Sequence, residues 1–403
     1  MSRRVAAWAG ALGVALALTC PSASAEEGQE CRAGTMSLVP GPPAALGALG
    51  MEGAWRLSRG AVTVAVVDSG VDATNPHLGE AVLPGLDLTG QSRDARVDVH
   101  GHGTAIAGQI AARPVEGSGL VGVAPEAMIL PVRVYTGEHD GEASQPEPGT
   151  TAEGIRWAAE QGAAVVVVPL AATVDSPELG EAVAAATELG SLVVAPAGNL
   201  ERGRDQGSPR YPAAYPQVLS VTATNLDGAP SDAVVHGPHV EVAAPGAEVL
   251  TTFLAWGDCV LAGGQPASSF ATGYVGGVAA LVAAAHPEES PAHWEYRILA
   301  TALRPHLAER DDVLGWGLVA PQAALAFAND GGMAGPPNPR FPAVEPPAPV
   351  AVDPPVPQVD PMPDRVRRLG PVVATGAVVG TVILLVARLT ELRGSRTNRD
   401  ERD

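Results

Sequence analysis

Three short segments carry an acid, a base and a nucleophile to the edges of apolar runs, and any fold of this chain has to bring those edges together. Val64-Ala65-Val66-Val67-Asp68-Ser69-Gly70 ends a β-branched stretch in a carboxylate; His100-Gly101-His102-Gly103-Thr104 sets imidazoles ahead of a run of small residues; Ser268-Ser269-Phe270-Ala271 sets hydroxyls at the start of another. Val62 to Val67 reads as a central parallel strand, since a strand covered on both faces is apolar continuously and not in alternation. Asp68 then falls at a strand's carboxyl end, the edge where open α/β sheets bind ligands. Phe270 to Ala285 is so rich in Ala, Gly and Val that it is apolar on every side, the pattern of a helix buried all round. Backbone N–H groups at its amino end are available to an oxyanion.

Taken singly, each motif has an ordinary explanation: a turn residue or cap for the Asp, a loop residue for a His between glycines, nothing at all for a Ser pair. The order Asp, His, Ser and four companion segments weigh against that. The companions are Val121-Gly122-Val123-Ala124-Pro125, the Ser191–Asn199 stretch ending in Gly198-Asn199, Tyr211-Pro212-Ala213-Ala214-Tyr215-Pro216, and Val242-Ala243-Ala244-Pro245-Gly246. On these residues the chain from 59 to 328 resembles the subtilisin-like serine proteases, or subtilases. The resemblance implies an α/β fold, a mostly parallel central sheet with helices on both faces. It also implies a catalytic triad of Asp68, His102 and Ser269, an oxyanion donor in Asn199, and substrate-binding positions at Leu170, Ala171 and Gly198. The chemistry is coherent: a serine hydroxyl is a poor nucleophile until a base takes its proton, and that base needs a third group to hold its tautomer. His100 is a weaker candidate for any role, since a zinc pair needs a third ligand and no further His or Cys clusters nearby. Gly103-Thr104 aligns His102, not His100, with the family's His-Gly-Thr.

Departures from the family pattern gather around the cleft. The nucleophile motif, normally Gly-Thr-Ser with a Pro four residues later, reads Ala267-Ser268-Ser269 with Gly273. The substrate-pairing strand, normally ending Ser-Leu-Gly, reads Pro169-Leu170-Ala171, so one N–H is missing and a methyl replaces a hydrogen. The expectation is a serine endopeptidase with a weakened cleft; the alternative is a scaffold of a secretion complex with weak or no protease activity.

The ends of the chain specify an address. Arg3-Arg4, the apolar Val5–Leu18 and Ala23-Ser24-Ala25 form a secretory signal over 1–25, leaving an extension over 26–58 too short and too rich in Gly, Ala and Pro to fold as a separate inhibitor. Residues 329–364 are proline-rich and read as an extended spacer, 365–388 as a single membrane anchor, and 389–403 as an Arg-containing cytoplasmic tail. This architecture is similar to the mycosins, membrane-anchored subtilases of actinobacterial type VII secretion, which implies a cell-membrane protein with its catalytic domain outside, acting on a protein or peptide beside secretion-complex components. The formal charge of −19 argues against nucleic acid as a partner. No cofactor or metal is expected; structural calcium occurs in subtilases, but no loop here presents a clear run of oxygen ligands. The acidic stretch from Gly137 to Pro148 reads as a solvated insertion. Once the signal has taken Cys20, Cys31 and Cys259 have one intramolecular pairing open to them, against the alternatives of free thiols or a partner's cysteine.

Overall fold

Seven parallel strands form the frame on which every candidate side chain is placed. They are β1 (Thr63–Asp68), β2 (Leu86–Asp87), β3 (Met128–Arg133), β6 (Val165–Val167), β7 (Leu192–Pro196), β8 (Val218–Thr224) and β9 (Val242–Pro245), in the spatial order β2-β3-β1-β6-β7-β8-β9. Two antiparallel ribbons stand apart: β4 (Glu138–His139) with β5 (Glu142–Ala143), and β10 (Val249–Thr252) with β11 (Asp258–Leu261). The helices are α1 (Ala44–Ala48), α2 (Met51–Ala54), α3 (His102–Ala111), α4 (Pro148–Glu160), α5 (Pro177–Glu188), α6 (Ser268–Ala285), α7 (Pro291–Thr301), α8 (Pro321–Ala326) and α9 (Met362–Thr397). The computed structural model describes residues 31–91, 94–139, 142–143, 146–200, 207–342 and 362–397, in two units that divide at Ala343. The signal segment, the start of the extension, most of the spacer and the end of the tail lie outside the described residues.

Strand periodicity sorts the core into two layers. Val64 and Val66 of β1, Val165 and Val167 of β6, and Leu192 and Val194 of β7 face one side, where they meet α3 and α6. Their neighbours Ala65, Val67, Val166, Val193 and Ala195 face the other, where they meet α4 and α5. The expected architecture, a parallel sheet with helices on both faces, is what forms. Each fully buried Val or Leu contributes about 1.5–3 kcal/mol to this arrangement.

α6 packs tightly against the sheet. A Cβ on Gly276 would collide with the side chain of Val167, and one on Gly277 with Val123, so glycine sets the distance of approach. The helix is long and apolar enough to cross a bilayer, yet most of it is buried in this domain. The other apolar helix, α9, holds a candidate span over Asp364–Leu392 whose uncharged part is Leu369–Ala387, none of it buried within the structure.

Two segments beyond the sheet differ from their sequence reading. The spacer expected from 329 does not begin there: Asn338 donates to Tyr296 Oη at 3.0 Å and to Asn329 Oδ1 at 2.8 Å, so 329–342 fold back onto α7 and belong to the catalytic unit. Local side-chain hydrogen bonds outweigh the extended preference of the prolines here. The Gly137–Pro148 insertion, where described, is a short ribbon whose base lines the cavity discussed below.

The extension works as a strap. Ser37 N donates to Trp256 O at 3.0 Å and Asp258 N to Ser37 O at 2.8 Å, while Val39 N donates to Asp258 Oδ2 at 2.8 Å. Trp55 Nε1 donates to Val123 O at 2.8 Å. Cys31 and Cys259 are joined as a disulfide with Cα atoms 5.6 Å apart, within the range such bonds need. Beside it, His77 is buried between two oxygens, Asp258 Oδ1 at 2.7 Å and Arg113 O at 2.6 Å. Because the disulfide closes a loop of 228 residues in sequence, Cys31→Ala/Cys259→Ala is expected to cost about 2–4 kcal/mol. Thermal or denaturant unfolding against the parent chain under oxidising conditions measures it.

Candidate active site

Asp68 closes β1 with a fully buried side chain. Its Oδ1 accepts from Ser69 N at 2.6 Å and its Oδ2 lies 2.7 Å from His102 Nδ1. That contact fixes the proton on Nδ1 and leaves Nε2 as the basic nitrogen. Burial alone would favour neutral imidazole, but the charge and hydrogen bond of Asp68, joined by the charge of Asp98, outweigh it and hold the pKa of His102 above the ordinary histidine range.

His102 is the first residue of α3, and the backbone around it is set by glycine. Gly101 has φ of 93°, a conformation unfavourable to any residue with a Cβ. Gly103 N donates to Ser69 Oγ at 3.1 Å, and a Cβ at 103 would strike the carbonyl of Gly70. The helix is held from its other side by β10: Thr251 Oγ1 donates to Ala105 O at 2.5 Å and Thr252 Oγ1 to Thr104 O at 2.7 Å.

Ser269 is the second residue of α6, half-buried, in the same cavity as His102. Its neighbour Ser268, which sequence reading passed over, is fully buried and has a distinct task. Both the N–H (2.8 Å) and the hydroxyl (2.9 Å) of Ser268 donate to Asn199 Oδ1. With its oxygen engaged twice, Asn199 is left to offer its NH₂ hydrogens, as an oxyanion donor must. The family's Thr at position 268 was the available signal, since Ser keeps the same hydroxyl.

These groups open on a cavity of about 660 Å³. One wall runs from Pro169 through Leu170 and Ala171 to Val174, the opposite one carries Tyr135, Gly137 and Pro146 to Pro148, and the floor includes Gly198, Asn199 and the buried Arg210. Gly198 has φ of 116°, and the stem of Arg210 packs where its Cβ would be. Leu170, expected to touch substrate, is nine-tenths buried and belongs to the core layer under α4 and α5 as well as to the cavity wall; Ala171 is exposed. Burial, then the charges of Asp68 and Asp98, raise the pKa of Tyr135, which keeps its phenol protonated beside them. His100 also lines the cavity, exposed, its ring 5.6 Å from that of Tyr135.

Two of the expected disturbances to the cleft are absent. Ala267 has φ −123° and ψ 130°, ordinary extended backbone that needs no glycine. At Gly273 the space a larger residue would take is filled by Gln109, whose Nε2 donates to Phe270 O at 2.8 Å. The missing N–H of Pro169 remains. A buried acid, an oriented imidazole, a hydroxyl and an amide donor around one cavity are equipped for acyl transfer.

Comparisons with known proteins agree with this geometry. The sequence pattern of Peptidase_S8, the Subtilase family, matches residues 59–317. Thermitase of Thermoactinomyces vulgaris is 36% identical over 231 residues, covering 57% of the chain and 78% of that protein. Mycosin-1 of Mycobacterium tuberculosis is 35% identical over 332 residues, covering 71% of the chain and 73% of that protein. The solved structure of the MycP3 protease from the type VII (ESX-3) secretion system superposes with a TM-score of 0.64 at 30% identity, covering 73% of the chain and 92% of that structure.

Asn199→Ala is expected to lower peptide hydrolysis by about 10²–10³. Ser268→Val loses the hydroxyl that orients Asn199 and is expected to lower it in the same step by less, while Ala267→Gly leaves it unchanged. Steady-state kinetics on one peptide substrate ranks the three; an increase on Ala267→Gly would contradict the backbone argument.

Proposed function

Because the chain belongs to the subtilase family of serine endopeptidases, we propose that Asp68, His102 and Ser269 are its catalytic triad and that it works as a membrane-anchored protease beside a type VII secretion complex. The observation that carries the triad is the 2.7 Å contact of His102 Nδ1 with buried Asp68, opening on the cavity that Ser269 and Asn199 share. Ser269 Oγ attacks the scissile carbonyl as His102 Nε2 takes its proton. Asp68 stays ionised, holds the tautomer and stabilises the imidazolium. The Asn199 amide and the free N–H groups at the start of α6 bind the oxyanion. His102 returns its proton to the departing amine, and water then releases the acyl group from Ser269 by the same steps in reverse order.

The anchor is supported by the exposed apolar length of α9, flanked by Arg365, Arg367 and Arg368 on one side and Arg388 and Arg393 on the other. With an amino-terminal export signal, the domain is placed outside the cytoplasmic membrane and the tail inside. The secretion role is supported by a likeness to mycosin-1 that reaches over 71% of the chain, against 57% for thermitase.

Ser269→Ala is expected to abolish both labelling by a serine-directed phosphonate probe and processing of a native substrate, while leaving the folded protein in the membrane. Unchanged processing in that variant, with secretion lost only when the domain or anchor is deleted, would establish the scaffold reading instead. Protease added to intact spheroplasts is expected to digest the domain and spare the tail; the reverse pattern would invert the topology.

A further inference from the structure

Asp98 stands four residues ahead of His102, and only 4% of it is exposed. Donors meet it from every side. Its Oδ1 accepts from the backbone N–H of His100 at 2.9 Å and of Gly101 at 2.8 Å. Its Oδ2 accepts from Thr104 N at 2.9 Å and Thr104 Oγ1 at 2.7 Å. Thr104 Oγ1 also accepts from Asp72 N at 2.9 Å and has its one hydrogen to give to Asp98. Four donors converge on its two oxygens, an arrangement that favours the carboxylate form. Burial, and to a lesser degree Asp68, push its pKa up against the pull of the Gly101 and Thr104 donors. The donors thus favour a charge where burial opposes it.

The location explains the use. The N-cap residue of α3, Gly101, has no side chain to cap with, and the helix begins with His102 itself. Asp98 does the capping from outside the helix and ties 100, 101 and 104 to one pair of oxygens, so the backbone on both sides of His102 is held by it. Among the described residues, the charges that act on His102 are those of Asp68 and Asp98, while Arg210 lies across the cavity floor. Asp68 comes from β1, Phe270 from α6 with its ring 5.7 Å away, His100 from the preceding loop at 6.4 Å, and Tyr135 is a neutral phenol. The nearby Arg133 is paired with Asp87 at 3.1 Å.

We propose that Asp98 is a second carboxylate serving His102: a positioning residue that clamps residues 100–104 so the imidazole meets Asp68, and whose charge joins that of Asp68 in stabilising the imidazolium formed when Ser269 gives up its proton. This rests on the triad reading above. Removing the charge then does two things. It favours neutral imidazole in the free enzyme, so the acid limb of kcat/KM moves to lower pH, and it weakens the imidazolium in the transition state, so the high-pH plateau falls through kcat more than KM.

The test uses the full chain in lipid nanodiscs, with the pH dependence of phosphonate labelling and of peptide hydrolysis as kinetic readouts. NMR of ¹³C-labelled histidine rings follows the titration of His102 directly. Asp98→Asn, and Asp98→Ser should the amide not fit the donor pocket, are expected to move both the kinetic limb and the His102 titration to lower pH. Thr104→Val removes one donor and keeps the charge, and is expected to leave the titration above that of either neutral variant. A titration unmoved in the neutral variants, or moved as far in Thr104→Val, would overturn the proposal and reduce Asp98 to a helix cap. The NMR titration needs no turnover, so an unlabelled parent chain would defeat the protease reading alone and still decide the role of Asp98.

Discussion

The approach of α6 to the sheet sets the reference for every other distance at the site. With glycine at 276 and 277 the helix axis sits where β6 and the Val123 segment allow it, and Ser268 and Ser269 ride on its first turn. The depth of that helix fixes the height of the nucleophile above the strand ends. Asp68, at the end of β1, is delivered to the same height by a strand in register with β6, with Val64 opposite Val165. Core packing and catalytic geometry are therefore one constraint, satisfied once.

A second layer of control is electrostatic and lies in the turns. Asp68 is buried with its oxygens met by Ser69 N–H and by His102; the imidazole gains more from that carboxyl than it loses by burial. Hydroxyls supply most of the fine alignment. Ser69 meets the first turn of α3, Thr251 and Thr252 meet its carbonyls, and Ser268 turns Asn199. Each of these is small, neutral and able to donate or accept, which suits positions where a strand end and a helix start must be joined without adding charge.

Sequence reading reached the parts of this arrangement that repeat along the chain or end a pattern. Val62 to Val67 read as a strand covered on both faces, the composition of α6 read as a core helix, and Asp68, His102, Ser269 and Asn199 each stood at or near the end of such an element. The count of cysteines left one intramolecular pairing, Cys31 with Cys259, and the structure chose it over free thiols. What stayed out of sight was contact across long separations. Nothing local to Gly273 announces that Gln109 fills its place, and nothing at Leu170 announces that the side chain turns into the core beneath α4 and α5. Ala267 looked suspect because the family's glycine there suggested a special backbone angle, whereas the chain takes an extended one. The prolines after 329 promised a free spacer; Asn329, Asn338 and Tyr296 made part of it a surface of the domain.

The two sides of the cavity are made of different material. Asp68, His102, Ser268, Ser269 and Asn199 are rooted in β1, α3, α6 and the end of β7, elements that share one core. Pro169 to Val174 form a loop, with exposed Val174 at its edge, and Gly137 and Pro146 to Pro148 adjoin the β4–β5 ribbon. A change on the rooted side is felt as lost stability throughout the domain, whereas a change in the loops is felt chiefly by whatever is bound. Selection for a new substrate, in nature or in the laboratory, would therefore write its record almost wholly on the loop side, and the range of peptides this chain can learn to cut is set by how far those loops can vary while the machinery opposite stays still.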